Sequence, residues 1–221
     1  MYFKCFPISF FIVCVLIFSS CSRATFRTFD KPITFNDDRK ALSLEYLRER
    51  HGIVTDDISI DPKVVVLHWT VVPTLEQTFH VFDPPRIPMS RENIQSASAL
   101  NVSSQFLIDR DGTIFKLMPE THFARHVIGL NHCAIGVENI GSDEEPLTKA
   151  QLKANVALIR YLKKKYDIQY VIGHYEYQSF IGHPLWKETD PDYLTQKTDP
   201  GTAFMKKVRN RIKDLDIAGA P

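Results

Sequence analysis

The sequence predicts an α/β domain built on a single mixed β-sheet with helices on both faces. Three observations lead there. Short Val- and Ile-rich runs of strand length alternate with longer segments whose apolar residues recur at helical spacing. The turn Asp109-Arg110-Asp111-Gly112 sits between two alternating runs, which makes at least one strand pairing antiparallel. Finally, 221 residues with 44% hydrophobic and 24% charged side chains can bury one full core, and show neither a disordered nor a repetitive bias.

Asp37 to Arg50 reads as a helix, with Leu42, Tyr46 and Leu47 at helical spacing and Gly52 just past its end. Lys63 to Trp69 is a strand on which Val64, Val66 and His68 share a face, and Thr70 and Pro73 break it. Thr74 to Phe82 reads as a short helix. The polar segment from Asp83 to Asn101, with three prolines, reads as a loop on the rim of a cleft. Ser103 to Ile108 and Thr113 to Met118 form the hairpin. Cys133 to Ile140 is a strand with Ala134, Gly136 and Glu138 on one face and Ile135 and Val137 on the other. Thr148 to Tyr166 is a helix whose apolar stripe is Leu152, Val156, Ile159, Leu162 and Tyr166, and Thr148 with Gln151 fits a capping box. Ile168 to Ile172 is the strand that delivers His174, and Thr202 to Leu215 is a closing helix.

The first twenty-one residues read as a processing signal. Lys4 supplies the positive start, Ile8 to Phe18 is an apolar run too short to span a bilayer comfortably, and Ser19-Ser20-Cys21 offers small residues before a cysteine. The pattern resembles a bacterial lipoprotein signal, which implies lipidation at Cys21, a membrane partner through that lipid anchor, and a periplasmic, outer-membrane location. Residues 22–36 then read as a tether and 37–221 as the domain. Cys5 and Cys14 fall in the signal, so Cys133 is left as a small core residue without a disulfide partner. Formal net charge is +1 and no basic footprint for nucleic acid is visible.

Chemistry concentrates between Val171 and Gly201. His174 ends an apolar strand, while Lys197 and Asp199, two residues apart, suit a carboxylate on a metal with a cation facing the same cavity. A catalytic zinc usually takes three protein ligands. His68, also at a strand end, supplies the third if the two strands share one sheet. His80, His122, His132 and His183 read as ordinary, partly buried histidines.

Val-Val-Val-Leu-His68-Trp, Val-Ser-Ser-Gln-Phe-Leu-Ile-Asp-Arg-Asp-Gly, Ala-Ile-Gly-Val-Glu138, Ile-Gly-His174 and Lys197-Thr-Asp199-Pro-Gly follow one another in a recognisable order. Over residues 63–204 the chain resembles the zinc-dependent N-acetylmuramoyl-L-alanine amidases, a group that also includes the peptidoglycan recognition proteins and phage-type amidase lysozymes. The resemblance implies the fold of that group and one Zn²⁺ on His68, His174 and Asp199. It further implies Glu138 as general base and acid, Lys197 as the cation facing the oxyanion, and peptidoglycan or a muropeptide as partner. It makes the amide between N-acetylmuramic acid and L-alanine the bond to be cut. Pure binding without catalysis, and a zinc hydrolase of some other amide, are the alternatives.

Three departures from the family pattern stand out. Arg125-His126 matches the Ala-Trp-His-like segment of relatives only in part, since Arg125 replaces the aromatic, and both residues are candidates for substrate contact. Gln105 stands where some relatives have His. The 22 residues from Tyr175 to Gln196 form a long insertion, in which Trp186 is a candidate wall for the glycan or peptide.

Overall fold

The structure, a computed structural model, describes residues 1–2, 27–88 and 97–221. The expectations for Cys21 and for the signal beyond residue 2 lie outside these residues, as does part of the rim loop. Among the described residues six strands form one sheet: β1 (Thr28–Asp30), β2 (Val64–Leu67), β3 (Phe106–Ile108), β4 (Ile114–Lys116), β5 (Ala134–Asn139) and β6 (Tyr170–Gly173). Their spatial order is β1-β4-β3-β5-β2-β6. Only β3 and β4, joined by the Asp109–Gly112 turn, pair antiparallel; every other pairing is parallel.

Among the described residues four α-helices accompany the sheet: α1 (Asp37–His51), α2 (Leu75–Phe82), α3 (Lys149–Lys165) and α4 (Thr202–Arg211). On one face, Val65, Leu67, Ile135, Val137 and Val171 pack with Leu158, Ile159 and Leu162 of α3 and Phe204, Met205 and Val208 of α4. On the other, Leu107 packs with Phe82 of α2, while Val64, Val66, Ala134 and Ile172 meet the 127–133 loop and Phe180. Each of these fully buried aliphatic side chains contributes about 1.5–3 kcal/mol relative to exposure. The single mixed sheet with helices on both faces is therefore the fold the alternating pattern required.

Local chemistry sets the helix ends. Asn36 Oδ1 accepts from the Arg39 amide (3.0 Å) to start α1, and Gly52 closes it in the left-handed conformation. The capping box at α3 is complete: Thr148 Oγ1 accepts from the Gln151 amide (3.0 Å) and Gln151 Oε1 accepts from the Thr148 amide (2.9 Å). The closing helix is shorter than its periodicity suggested. It stops at Arg211, and a 3₁₀ turn over Lys213–Leu215 follows, where Asp214 takes a forked ion pair from Arg160 of α3 (2.6 and 2.7 Å).

The expected tether over 22–36 needs correction at its end. Thr28–Asp30 runs parallel to β4 as an edge strand, the Lys31 and Ile33 amides continue the ladder to Lys116 and Leu117, and Ile33 is buried. Backbone pairing holds this segment, so side-chain periodicity gave no sign of it.

The insertion packs onto the end of α1. Thr189 donates from both its amide and hydroxyl to carbonyls of Arg50 and Glu49, and the Arg50 guanidinium pairs with Glu188 at 2.9 Å. Beneath it His51 Nδ1 lies 2.7 Å from the Lys187 carbonyl, with the His132 ring 5.1 Å from that of His51. Burial pushes His51 down to about 4, and burial with the nearby His51 and Lys187 takes His132 down to about 3. Both imidazoles are neutral in the folded protein at pH 6, whereas in the unfolded chain they keep the ordinary value of 6.5 and take up protons. Their contribution to stability is thus full above about pH 6.5 and falls as pH drops toward 4. We expect the melting temperature of the metal-stripped protein to decline across that window, and the decline to be shallower in a His51→Phe/His132→Phe variant; equal slopes in the two proteins would remove these residues from the effect.

Candidate metal centre

Three neighbouring parallel strands bring the reactive side chains level. Leu67 is in register with Val137 of β5 and Gly173 of β6, so the next residue of each strand line, His68, Glu138 and His174, falls at one height. These are the carboxyl ends of the strands, where open α/β sheets place their ligands. Asp199 enters from the loop before α4, held there by its carbonyl, which accepts from the Tyr175 amide at 3.1 Å.

His68 Nδ1, His174 Nδ1 and Asp199 Oδ2 form a near-equilateral triangle: 3.0 Å between the nitrogens and 3.1 Å from each nitrogen to the oxygen. The residues are 2%, 8% and 8% exposed, so the donor atoms face one another with little water between them. A tetrahedral ion with bonds of about 2.0–2.2 Å separates its ligand atoms by about 3.3–3.6 Å, a few tenths more than this triangle. Two imidazoles and a carboxylate are donors such an ion accepts. The triad therefore fits a metal in both spacing and chemistry.

Electrostatics agree. Burial, reinforced by the neighbouring His68, lowers His174 to about 4, so its ring is neutral and carries a lone pair at physiological pH. Burial alone would raise Asp199, but the close approach of the His174 and His68 rings outweighs it and holds the carboxyl well below the usual carboxylate range. His68 is anchored through its backbone. Its amide donates to the Val137 carbonyl (2.9 Å), and its carbonyl accepts from Asn139 Nδ2 (3.0 Å), whose Oδ1 accepts from Asn155 of α3 (2.7 Å). A chain of buried amides thus ties the helix behind the sheet to the ligand in front.

The triad opens into a cleft of ≈ 240 Å³ whose lining includes Glu138, Lys197, His126 and Arg125, with Thr78 and Phe82 of α2 on the far wall. Glu138 is half-buried and its Oε2 has no hydrogen-bond partner among the described residues. Burial lifts its carboxyl to about 7, against the pull of His68 and Lys197 and with Asp199 adding to the rise. Lys197 has no carboxylate partner among the described residues and lines both this cleft and an adjoining lobe of ≈ 130 Å³.

The flanking candidates are placed differently from one another. Arg125 is buried where the two lobes meet. Its guanidinium donates to the carbonyls of Ser98 (3.1 Å) and Leu100 and to the Tyr193 hydroxyl (3.2 Å), so it braces the cleft wall. His126 lies in the cleft with its Nδ1 3.1 Å from His68 Nε2. Gln105 is buried and structural, accepting from the Gly136 amide (2.7 Å) and donating to the His122 carbonyl (2.8 Å). Gly136 has to lack a side chain, because a Cβ there would come within 2.8 Å of the His126 ring.

Trp186 is not among the residues lining either lobe. Its ring stacks on Tyr177 (centroids 6.1 Å apart, 24° between planes) and covers Gly129, packed against the cluster under the insertion. Trp186→Ala should therefore lower stability by about 2–3 kcal/mol, less than for a fully buried Trp, and leave KM unchanged. Denaturant melts and substrate kinetics on the same preparation check this; a raised KM at unchanged stability would return Trp186 to the substrate wall.

The insertion does reach the cleft, through Tyr193 and Thr195, and α1 reaches it through Tyr46. Nothing in the spacing of these residues marked them. Arg39 was equally hidden: buried on α1, it donates to the carbonyls of Thr34, Phe82 and Pro84 and so fixes α2 over the cleft.

Comparison with known proteins bears on this arrangement. Among solved structures the chain is similar to AmpD, at 20% identity and a TM-score of 0.50, covering 83% of this chain and 93% of that one. It is also similar to the N-acetylmuramoyl-L-alanine amidase LysC of Clostridium intestinale, at 23% identity and a TM-score of 0.49, covering 73% and 90%. Bumblebee PGRP-SA is a third, at 22% identity and a TM-score of 0.46, covering 76% and 94%. At these identities the AmpD likeness is one of fold. No curated protein matches the chain by sequence. The family profile described as N-acetylmuramoyl-L-alanine amidase matches residues 59–202, from the strand that carries His68 through the loop that carries Asp199. Since that stretch takes in well over half of the chain, the protein belongs to the type 2 N-acetylmuramoyl-L-alanine amidase family.

Proposed function

We propose that this protein hydrolyses the amide between the lactyl group of N-acetylmuramic acid and L-alanine in peptidoglycan or a muropeptide, with one Zn²⁺ held by His68, His174 and Asp199. The observation that carries the reading is the triangle of donor atoms at 3.0–3.1 Å with, in the same cleft, a Glu138 Oε2 that has no hydrogen-bond partner among the described residues. Zinc in such a site supplies Lewis acidity, making water nucleophilic near neutral pH and polarising an amide carbonyl.

The protein's own groups do the rest. Glu138, with its carboxyl near 7, can accept a proton from the attacking water as a C–O bond forms and deliver it to the alanine nitrogen as the C–N bond breaks. The products are a free muramyl carboxylate and a peptide amine. Lys197, without a carboxylate partner among the described residues and lining the cleft, supplies a fixed positive charge toward the carbonyl oxygen as it becomes negative. Arg125 and Tyr193 hold the wall against which the peptide or glycan lies. The lipoprotein-type signal supports placing the enzyme on a lipid anchor at Cys21, facing the periplasm, where such substrates occur.

Mass analysis of products from a defined muropeptide tests bond and metal together. We expect a stem peptide with a free N-terminal alanine and a peptide-free sugar, both absent after chelation and restored by zinc. Retention of intact muropeptide without cleavage by the zinc-loaded protein would make it a binding module instead.

A further inference from the structure

We infer that His126 is a positioning residue for the metal centre: its ring fixes His68 in the tautomer whose Nδ1 lone pair faces His174 and Asp199. The inference rests on the metal reading above and adds a residue to it.

For neutral rings the geometry leaves one arrangement of protons that also keeps the triad open to a cation. His126 Nε2 lies 3.3 Å from the carbonyl oxygen of Ala134, which can only accept, so the proton of a neutral His126 ring sits on Nε2. His126 Nδ1 then presents a lone pair, 3.1 Å from His68 Nε2. His68 Nε2 must donate, and a neutral imidazole has one N–H, so His68 Nδ1 is bare. That nitrogen is the one 3.0 Å from His174 Nδ1 and 3.1 Å from Asp199 Oδ2. The other tautomer of His68 would set two lone pairs against each other at the His126 contact and point a proton into the space a cation needs.

The His126 ring is itself held. The His126 and Val127 amides both donate to Asn131 Oδ1 (2.9 and 2.8 Å), the ring lies against Gly136, and it meets His68 nearly edge-on, with centroids 5.2 Å apart at 87°. Orientation is thus passed from the Ala134 carbonyl to His126, from His126 to His68, and from His68 to the metal, as partners behind metal-binding histidines generally do. With both ring nitrogens engaged, His126 is not the free donor to substrate that its place in the sequence suggested.

The test uses the full chain with His126→Phe, which removes the acceptor, and His126→Asn, which keeps one near the position of Nδ1. Zinc affinity is measured by chelator competition, and the His68 tautomer by ¹⁵N-edited NMR of the zinc-free protein. We expect His68 protonated on Nε2 alone in the wild type, zinc binding weakened about 10–100-fold in His126→Phe, and near-wild-type binding in His126→Asn. Wild-type affinity in a folded His126→Phe protein, or a His68 proton on Nδ1, overturns the inference. Should His126→Phe fail to fold, His126→Asn decides: near-wild-type zinc binding supports the inference, and loss in a folded protein that keeps the acceptor overturns it. If the wild type binds no zinc while His68 carries its proton on Nε2, the metal reading falls and the tautomer assignment stands.

Discussion

Replacing Asp199 by Ala should abolish both zinc binding and turnover. The carboxylate is the one anionic donor in the triad, and it sits 3.1 Å from each of two imidazole nitrogens that are themselves 3.0 Å apart. Without it, two neutral nitrogens remain, one fewer ligand than a catalytic zinc takes. Losing a metal that stabilises several kcal/mol of developing charge corresponds to about three orders of magnitude or more in rate. A readout free of substrate is available too. Zinc at a hundred times its Kd stabilises the folded protein by about 2.7 kcal/mol, and for a domain of this size that raises Tm by about 5–10 °C. Added zinc should shift the wild type by that amount and Asp199→Ala hardly at all. An equal shift in the variant would mean that the ion binds elsewhere, and the triad would lose its assignment.

Much of this site was legible in the sequence because its geometry is local. His68 and His174 each follow a Val- or Ile-rich run by one residue, so placing both runs in one parallel sheet makes the two rings level, and the register of Leu67 with Gly173 does so. The period of two put Glu138 on the face of Ala134 and Gly136, away from the Ile135 and Val137 that pack on α3 and α4. The capping box at Thr148 and the turn at Asp109 were equally readable, since each is settled within four residues.

What escaped depends on partners distant in the chain. β1 is three exposed residues held by backbone bonds to a strand more than eighty positions away. Trp186 looked like a binding aromatic because nothing local reveals that Tyr177 and Gly129 lie beneath it. Tyr193 enters the cleft through an insertion whose path is set by contacts to Arg50, which lies over the Tyr193 ring, and by the Arg125 hydrogen bond to its hydroxyl. His126 drew notice as a polar residue near a motif, yet its place is defined by the Ala134 carbonyl and the far nitrogen of His68.

Glu138→Gln separates catalysis from metal binding. Gln keeps the length and shape of the side chain, so the triad across the cleft is undisturbed and zinc affinity should match the wild type. What is lost is the ability to take a proton and give it back. Glu138 suits that exchange because burial brings its carboxyl to about 7, where both protonation states are populated near neutral pH, and because its Oε2 is committed to no other group among the described residues. The amide of Gln neither accepts a proton from water nor protonates a departing amine. General acid–base assistance of this kind is worth about 10²–10⁴-fold, and here one group would serve both halves of the reaction, so we expect kcat to fall toward the upper end of that range with KM little changed. The alternative arrangement, in which zinc alone activates water and Glu138 merely fills the cleft, calls for near-normal kcat in the same zinc-loaded variant. Single-turnover rates on a defined muropeptide, with zinc content measured on the same sample, decide between them.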